Sequence, residues 1–371
     1  MSTHSDHRHM ALAIQLARRG WYGTSPNPRV GCVLVKDDHV IADGWHSVAG
    51  GPHAEAVVLE KAGQAARGAT AYVSLEPCSH HGKTPPCADA LINAGIKRLV
   101  YGMRDPNPDV AGRGLEKLRQ AGITVDGPLL EQNAQSLNPG FIRRMQTGKP
   151  WVIGKTAASL DGRTAMANGE SQWITGAEAR ADVQKLRAAS CAIITGIGTV
   201  LADNPQLTVR NPQLAEPGMA LRQPLRVIVD SRLRIPTAAN VLQSPGKALV
   251  VYARAEAEKL EQLARQGTEC VQLANSAGQV DLPALLAELG KRECNEVMVE
   301  AGSTLLGAML QLQLINQLQL YTATTLLGSN ARPLAQLPLD SMAQQQRWQL
   351  QDIRRIGNDV RWQLLAEKGT D

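Results

Sequence analysis

Residues 51–87 read GPHAEAVVLEKAGQAARGATAYVSLEPCSHHGKTPPC, and the rest of the chain is organised around this stretch. It contains one histidine, His53, and two cysteines, Cys78 and Cys87, whose imidazole and thiolate groups are ligands that suit zinc. Three protein ligands leave the fourth tetrahedral position open, as in catalytic zinc sites. Glu55, two residues after the histidine, is placed to move protons there as a catalytic acid and base. The stretch therefore predicts a zinc-dependent hydrolytic centre.

The residues around these ligands have the pattern of an α/β unit. Residues 69–75 read as a short buried strand, so Cys78 is expected just beyond a strand end. Prolines and glycines predict helices over 54–62 and 87–94. Two of the ligands then lie at helix N-termini, where the partial positive charge favours thiolate over thiol. With a second strand over 96–101, the pattern predicts an α/β sandwich with the metal at its edge.

Each of these residues, taken singly, has an ordinary structural explanation. Glu55 could be a carboxylate that only stabilises a helix N-terminus through the helix dipole. His53 could be a partly buried histidine, and the two cysteines could be inert core thiols. The order H-x-E, then P-C, then C favours the metal centre, because zinc nucleobase deaminases have this arrangement. The alternative left open is a structural zinc site, which His80 or His81 could close as a fourth ligand.

The spacing of the cysteines departs from that of generic zinc deaminases. Those enzymes have P-C-x-x-C, whereas eight residues separate Cys78 from Cys87 here. The insert is polar and basic. A free nucleobase as substrate does not need a basic insert beside the site. A substrate that carries a phosphate would need one to bind that phosphate.

Longer motifs point to one family. The string EPCSHHGKTPPC, with GxPHAE before it and DPNPxVAGRG at residues 105–114 after it, resembles the bifunctional deaminase/reductase of riboflavin biosynthesis. The similarity continues through SLDGRTA at 159–165 and GESQWIT at 169–175 and reaches almost the whole chain. The resemblance implies a cytidine-deaminase-like three-layer α/β/α zinc domain followed by a dihydrofolate-reductase-like α/β domain. The wide cysteine spacing is this family's own.

Length and composition agree with two domains. A chain of 371 residues is long for one domain, and a change of composition before Gly148 places the boundary there. We therefore expect a zinc-dependent pyrimidine deaminase domain over 1–148 and an NADPH-dependent reductase domain over 149–371. The net charge of +5 is modest and not gathered into runs, and aromatics make up 3% of residues. This suits anionic small molecules better than nucleic acid.

Cysteine usage and hydropathy bear on the compartment. The six cysteines are scattered, which indicates a reducing cytoplasm rather than a disulfide framework. The first residues lack an apolar signal core, and no run approaches the ~20 apolar residues that cross a bilayer. We expect a cytoplasmic protein with no membrane or nucleic-acid partner. The resemblance suggests a homo-oligomer, with a dimer favoured.

For the first domain, the resemblance implies a defined reaction. It is the zinc-dependent hydrolytic deamination of 2,5-diamino-6-(5-phosphoribosylamino)pyrimidin-4-one to 5-amino-6-(5-phosphoribosylamino)uracil. Glu55 would take up the proton of the attacking water and deliver it to the ring nitrogen and the leaving amine. The positions that match the family's substrate-binding residues are Asn27, His46, Lys83 and Thr84.

In the second half, three apolar strands are expected over 151–157, 191–196 and 296–300, with another over 225–232. Two of them run into glycines at helix starts, an arrangement that binds phosphate through free backbone N–H groups. Gly196-Ile-Gly198 is not a full G-x-G-x-x-G fingerprint, so tight strand-to-helix packing remains an alternative explanation.

The resemblance makes this half an NADPH-dependent reductase that converts the ribosyl side chain to the ribityl chain. The matching cofactor-binding positions are Ala157, Trp173, Thr199, Asp203, Ser231, Gly302, Ser303, Thr304, Leu305, Leu306, Gly307 and Ala308. The matching substrate-binding positions are Ser171, Arg187, Leu207, Arg210 and Glu300, with Lys155 beside them.

Chemical roles follow for some of these positions. The guanidinium groups of Arg187 and Arg210 are suited to bind the 5-phosphate through paired hydrogen bonds. Arg232 is suited to bind the extra phosphate of NADPH. Glu300 and Lys155 are candidates for proton transfer during ring opening. Two other functions stay open from sequence: a tRNA or free-base zinc deaminase with an accessory nucleotide-binding domain, and a non-enzymatic structural-zinc nucleotide sensor.

Overall fold

The computed structural model describes residues 3–79, 86–108, 110–215 and 219–367. The chain forms two compact units, one of residues 1–148 with 215–220 and the other of residues 149–214 with 221–371. Within the described ranges, every helix is too short or too polar to span a bilayer.

The first unit is built on a five-stranded sheet. Its strands are β1 (Gly31–Lys36), β2 (His39–Trp45), β3 (Thr70–Leu75), β4 (Arg98–Met103) and β5 (Thr124–Asp126), in the order β2-β1-β3-β4-β5. Its helices are α1 (His4–Ala17), α2 (Ala54–Ala62), α3 (Cys87–Asn93), α4 (Arg113–Gln120), α5 (Glu131–Gln135) and α6 (Pro139–Thr147). Strands β3, β4 and β5 run parallel, while β1 is antiparallel to β2 and β3.

Helices cover both faces of this sheet. A Cβ on Gly31 would lie 2.0 Å from the Ala13 carbonyl oxygen of α1, so the backbones touch there. A Cβ on Gly44, which pairs with the next residue of β1, would lie 2.8 Å from Val57 of α2. Successive residues of a strand face opposite sides, so α1 and α2 lie on opposite faces. The predicted three-layer α/β/α architecture is confirmed.

The predicted elements around the metal ligands are also confirmed. Helix α2 spans Ala54–Ala62 as expected, and His53 is its N-cap residue. Cys87 opens α3 after Pro86, and Cys78 follows the end of β3. Because β3 and β4 are parallel, the chain after each strand leaves the sheet at the same edge. This edge carries the predicted metal ligands.

The second unit has a nine-stranded sheet in the order β11-β10-β9-β8-β12-β6-β13-β16-β15. Its strands are β6 (Trp151–Ala158), β8 (Ala192–Gly196), β9 (Leu225–Val229), β10 (Ala248–Tyr252), β11 (Glu269–Gln272), β12 (Glu296–Glu300), β13 (Gln317–Thr322), β15 (Trp348–Ile356) and β16 (Asp359–Ala366). Two short strands, β7 (Arg163–Ala165) and β14 (Arg332–Pro333), pair separately. Its helices are α7 (Ala177–Ala189), α8 (Ile197–Asp203), α9 (Asn240–Gln243), α10 (Ala257–Arg265), α11 (Leu282–Lys291) and α12 (Ser303–Gln311).

The order of the strands decides which loops meet in this unit. Seven strands, from β11 to β13, run parallel, and the C-terminal hairpin β15–β16 joins them antiparallel. Ligands of open α/β sheets bind outside the carboxyl ends of parallel strands. The polar residues that end β6, β8, β9 and β12 therefore share one edge.

Candidate active sites

Three donor atoms converge in the first unit. The Nδ1 atom of His53 lies 3.2 Å from the Cys87 sulfur and 3.7 Å from the Cys78 sulfur. All three donor atoms lie within 4.8 Å of one another, and this is the one such group of His, Cys, Asp and Glu in the described part of the chain. Tetrahedral zinc at normal bond lengths would separate its nitrogen and sulfur ligands by about 3.5 Å. The donor set and its spacing fit zinc.

Hydrogen bonds between these donors already favour a thiolate. The Cys78 sulfur accepts hydrogen bonds from the Cys87 thiol and from the Cys87 backbone N–H, whose nitrogen lies 3.3 Å away. These hydrogen bonds lower the pKa of Cys78 to about 4. The same contact raises the pKa of the Cys87 thiol. The hydrogen bond with Cys78 likewise raises the pKa of His53. The charge on Cys78 is therefore stabilised by its two neighbours.

Glu55 lies in the first turn of α2 beside this cluster. Its side chain is buried and contacts the Cys87 thiol. Burial, reinforced by the nearby Cys78 charge, raises the pKa of the Glu55 carboxyl to about 7. A carboxyl group with a pKa near neutrality can both accept and release a proton.

Two of the predicted pyrimidine-binding residues meet at the same place. The Asn27 Nδ2 atom lies 3.1 Å from His46 Nε2, and His46 Nδ1 lies 2.9 Å from the Pro52 carbonyl oxygen. The His46 ring also packs edge-on against the His53 ring, with centroids 5.4 Å apart. The structure thus brings Asn27 and His46 to the metal ligands. Lys83, Thr84, His80 and His81 lie outside the described residues.

The second unit holds a partly buried ion pair at the edge described above. The Glu300 carboxylate, at the end of β12, accepts two hydrogen bonds of 3.0 Å from Arg187 and lies 3.5 Å from Lys155 Nζ. Burial favours the neutral acid, but Arg187 and Lys155 outweigh it and bring the pKa of Glu300 down to about 2. Arg187 also donates to the Thr208 carbonyl oxygen at 3.0 Å. Most of the N–H groups of the Arg187 guanidinium are therefore bonded within the protein.

The predicted cofactor positions lie mainly along this edge. The Gly302 N–H donates to Thr199 Oγ1 at 3.2 Å, which joins the starts of α8 and α12. No side chain of the described residues caps the N-terminus of α12, so its first N–H groups point outward. A Cβ on Gly198 would meet no atom within 4 Å. This open, uncapped turn fits an anionic dinucleotide.

Other predicted positions differ in exposure. Trp173 is 70% exposed, with the Arg180 guanidinium 4.5 Å above its ring. Asp203, Arg210 and Arg232 are exposed, whereas Leu207 is buried. Positions with intermediate exposure are Ala157, Ser171, Ser231, Ser303, Leu305 and Ala308; Thr304 is exposed.

Two of the cofactor positions are closed off by packing. Leu306 belongs to the apolar core of the second unit. A Cβ on Gly307 would lie 2.1 Å from the Gln336 carbonyl oxygen, so the backbone of residue 336 occupies that side of α12. The structure does not bring these two residues to the open edge, because α12 turns them toward the interior.

Sequence reasoning missed two buried residues near the first site. Asn138 holds the loop that carries Asn27, since its side chain accepts from the Arg29 N–H at 2.8 Å and donates to the Arg29 carbonyl at 2.9 Å. Glu76, in the turn before Cys78, accepts hydrogen bonds from distant backbone groups. The only sequence signal for Glu76 was its place in the EPC motif.

Two family models match the chain. The model described as the RibD C-terminal domain matches residues 150–362. The model described as the cytidine and deoxycytidylate deaminase zinc-binding region matches residues 3–103.

Curated relatives match along almost the whole length. The riboflavin biosynthesis protein RibD of Escherichia coli is 49% identical, over 97% of this chain and 99% of the relative. The protein of the same name from Haemophilus influenzae is 46% identical, over 95% of each.

Solved structures agree. Acinetobacter baumannii RibD has a TM-score of 0.90 at 46% identity, covering 98% of this chain and 99% of that chain. A diaminohydroxyphosphoribosylaminopyrimidine deaminase/5-amino-6-(5-phosphoribosylamino)uracil reductase from Thermotoga maritima has a TM-score of 0.86 at 33% identity, with the same coverage.

Proposed function

The chain belongs to the RibD family of riboflavin biosynthesis, and from this premise we propose which of its residues carry the family's two reactions. The protein is a bifunctional enzyme, a hydrolytic deaminase and a reductase, and it uses zinc and NADPH. These findings set aside the tRNA deaminase and the nucleotide sensor. The observation that carries the proposal is the convergence of His53, Cys78 and Cys87 beside buried Glu55.

We assign residues 1–148 to deamination of 2,5-diamino-6-(5-phosphoribosylamino)pyrimidin-4-one. His53, Cys78 and Cys87 hold zinc, which when bound supplies a Lewis acid and lowers the pKa of water. Glu55 accepts one proton of the attacking water and passes it to the ring nitrogen, and it then carries the second proton, from the added hydroxyl, to the amino group that leaves as ammonia. The net reaction exchanges the C2 amino group and water for a carbonyl and ammonia.

Asn27 and His46 orient the pyrimidine in this proposal. His46 donates from Nδ1 to the Pro52 carbonyl, so its Nε2 is the acceptor for the Asn27 amide. The Asn27 oxygen is then directed away from His46, where it can accept a hydrogen bond from a ring N–H or amino group of the substrate. Lys83 and Thr84 are proposed to bind the same substrate.

We assign residues 149–371 to the reduction of the ribosyl chain to the ribityl chain. NADPH supplies the two-electron reduction when bound along Thr199, Ser231 and the turn at 302–305. Glu300 and Lys155 handle protons while the ribose ring opens. Arg187 pairs with the Glu300 carboxylate and keeps its remaining N–H groups for the 5-phosphate. Arg210 also binds this phosphate.

The remaining cofactor and substrate positions complete this assignment. Ala157, Trp173, Asp203 and Ala308 are proposed to line the cofactor, and Ser171 and Leu207 the substrate. Arg232, which is exposed beside Ser231, is proposed to favour NADPH over NADH. We further propose that the protein is a cytoplasmic homo-oligomer, with a dimer favoured, and that it has no nucleic-acid partner.

Mass spectrometry of the products tests both assignments. The pure protein is incubated with the diaminopyrimidine ribosyl phosphate, with and without NADPH. We expect exchange of an amino group for oxygen without NADPH, and a gain of two hydrogens when it is added. The absence of any mass change in a zinc-loaded sample would contradict the proposal. Deamination alone would contradict only its second half.

A further inference from the structure

Glu76 joins three parts of the first unit. It is 3% exposed and directly follows β3. Its backbone N–H donates to the Met103 carbonyl oxygen at 2.9 Å, which extends the pairing of β3 with β4. Its Oε2 atom accepts hydrogen bonds from the N–H groups of Asp105 at 3.3 Å and Gly112 at 3.0 Å. One carboxylate oxygen therefore binds both ends of the 105–112 loop.

This loop borders the metal site. It leaves the sheet at the carboxyl end of β4, and Cys78 lies beyond the carboxyl end of the adjacent parallel strand β3. The turn before Cys78 touches the first turn of α4, which follows the loop, since a Cβ on Gly114 would lie 2.0 Å from the Pro77 carbonyl oxygen. Only glycine allows that approach.

A second link ties the segment to the other cysteine. Lys117 of α4 lies 2.5 Å from Asp89 of α3, the helix that begins at Cys87. The loop and α4 are thus attached to both cysteine-bearing segments, by Glu76 on one side and by Asp89 on the other. The Asp89 pair is partly exposed and contributes little. The buried Glu76 bonds are the stronger link.

We propose that Glu76 is a positioning residue of the deaminase site, whose carboxylate holds the described residues of this loop, 105–108 and 110–112, as a rim against which the pyrimidine binds. A buried carboxylate is costly unless it is hydrogen-bonded, and both hydrogen bonds of its side chain in the described structure go to this loop's backbone. Its Oε1 atom is buried with no hydrogen-bond partner among the described residues. Glu76 therefore acts on the loop through its Oε2 atom.

The inference rests on the proposed deaminase reaction, and kinetics of the full-length chain separate the two. The variants are Glu76→Ala, Glu76→Gln and, as a matched control, Glu116→Ala on the exposed side of α4. Zinc content, deaminase kcat and KM, and reductase rate are measured on each sample. The reductase rate reports on the second unit of the same molecules.

We expect Glu76→Ala to raise the deaminase KM about tenfold or more, with zinc content, kcat and reductase rate near wild type. Glu76→Gln keeps an acceptor oxygen without the charge, so its KM should fall between those of wild type and Glu76→Ala. Glu116→Ala should behave as wild type. Hydrogen exchange should show faster exchange of the Asp105 and Gly112 amides in both Glu76 variants.

Three results would overturn the inference. The first is a deaminase KM equal to that of wild type in a Glu76 variant that folds. Another is zinc loss in proportion to activity, since Glu76 would then brace Cys78. The third is unchanged exchange at Asp105 and Gly112. A wild-type chain that does not deaminate at all would instead contradict the proposed function.

Discussion

The Asn27 amide nitrogen lies 3.1 Å from His46 Nε2, and this contact sets the direction of both side chains. His46 Nδ1 donates to the Pro52 carbonyl at 2.9 Å, so Nε2 must accept and the Asn27 nitrogen must donate. Pro52 immediately precedes the metal ligand His53. Contacts therefore run from Asn27 through His46 to the predicted metal ligand His53.

These contacts predict the effect of changing Asn27. Asn27→Asp replaces the donor with an acceptor, so it would repel unprotonated His46 and turn away from the substrate. We expect a deaminase KM raised about tenfold to a hundredfold, with zinc content and reductase rate unchanged. Steady-state kinetics with metal analysis checks this. A KM like that of wild type would show that Asn27 does not contact the pyrimidine.

Replacing Glu55 should remove deamination without removing the metal. Glu55→Gln keeps the size of the side chain but cannot take up a proton, and we expect a loss of about 10²–10⁴ in kcat. Zinc content should stay near one per chain, as in the zinc-loaded wild type. Glu60→Gln, on an exposed position of the same helix, is the matched control. Undiminished deamination in a zinc-loaded Glu55→Gln sample would refute the assignment of Glu55.

The Arg187–Glu300 pair predicts a pH effect on the reductase. The pKa of Glu300 is held at about 2 against the effect of burial by Arg187 and Lys155. Arg187→Ala removes one of these positive charges, so the pKa of Glu300 rises. If ionised Glu300 is needed, the acid limb of the reductase pH–rate profile should move to higher pH.

Two comparisons check that explanation. Glu300→Gln should lower the reductase rate at every pH and abolish the shift when combined with Arg187→Ala. Deamination by the same samples should not change. An Arg187→Ala profile that falls in rate without moving along the pH axis would mean that Arg187 acts on substrate alone.

The buried Asp6 carboxylate predicts an acid-sensitive part of the first unit. Asp6 is 1% exposed, and although burial opposes it, hydrogen bonds from Arg98 and Tyr72 hold its pKa well below the usual range. A group with a lowered folded-state pKa stabilises the fold above its unfolded pKa, near 4, and loses that contribution as pH falls through the folded pKa. Asp6 therefore joins α1 to β3 and β4 most strongly above about pH 4.

Asp6→Asn should destabilise this unit at pH 7 by about 1–3 kcal/mol, because it replaces the buried charged partner of Arg98 with a neutral one, while Asp126 still pairs with Arg98. It should also flatten the loss of stability below about pH 4. Hydrogen exchange of the β3 and β4 amides, measured from pH 7 to well below pH 4, reports both effects. Equal pH dependence in the variant and wild type would contradict this account. Glu116→Gln, on the exposed side of α4, is the control.

Local rules were sufficient for the elements that hold the metal. Helix α2 and strand β3 were predicted almost to the residue, because hydrophobic periodicity and flanking proline and glycine act within a few positions. Donor chemistry and order alone predicted the group His53, Cys78 and Cys87, which the structure brings together. The deaminase-like and reductase-like folds were implied by long motifs and are confirmed.

What the sequence by itself determined was the chemistry available: which side chains are suited to bind zinc, which carboxylate is close to them in sequence, and where the strands end. The tertiary structure decided which of these groups meet. The order of strands in each sheet brings Glu300 to Arg187, Glu76 to the 105–112 loop and Asn27 to His46, while it turns Leu306 and Gly307 inward. Such pairs are 19 to 113 residues apart. Sheet order and register set these distances, and no local pattern in the chain encodes them.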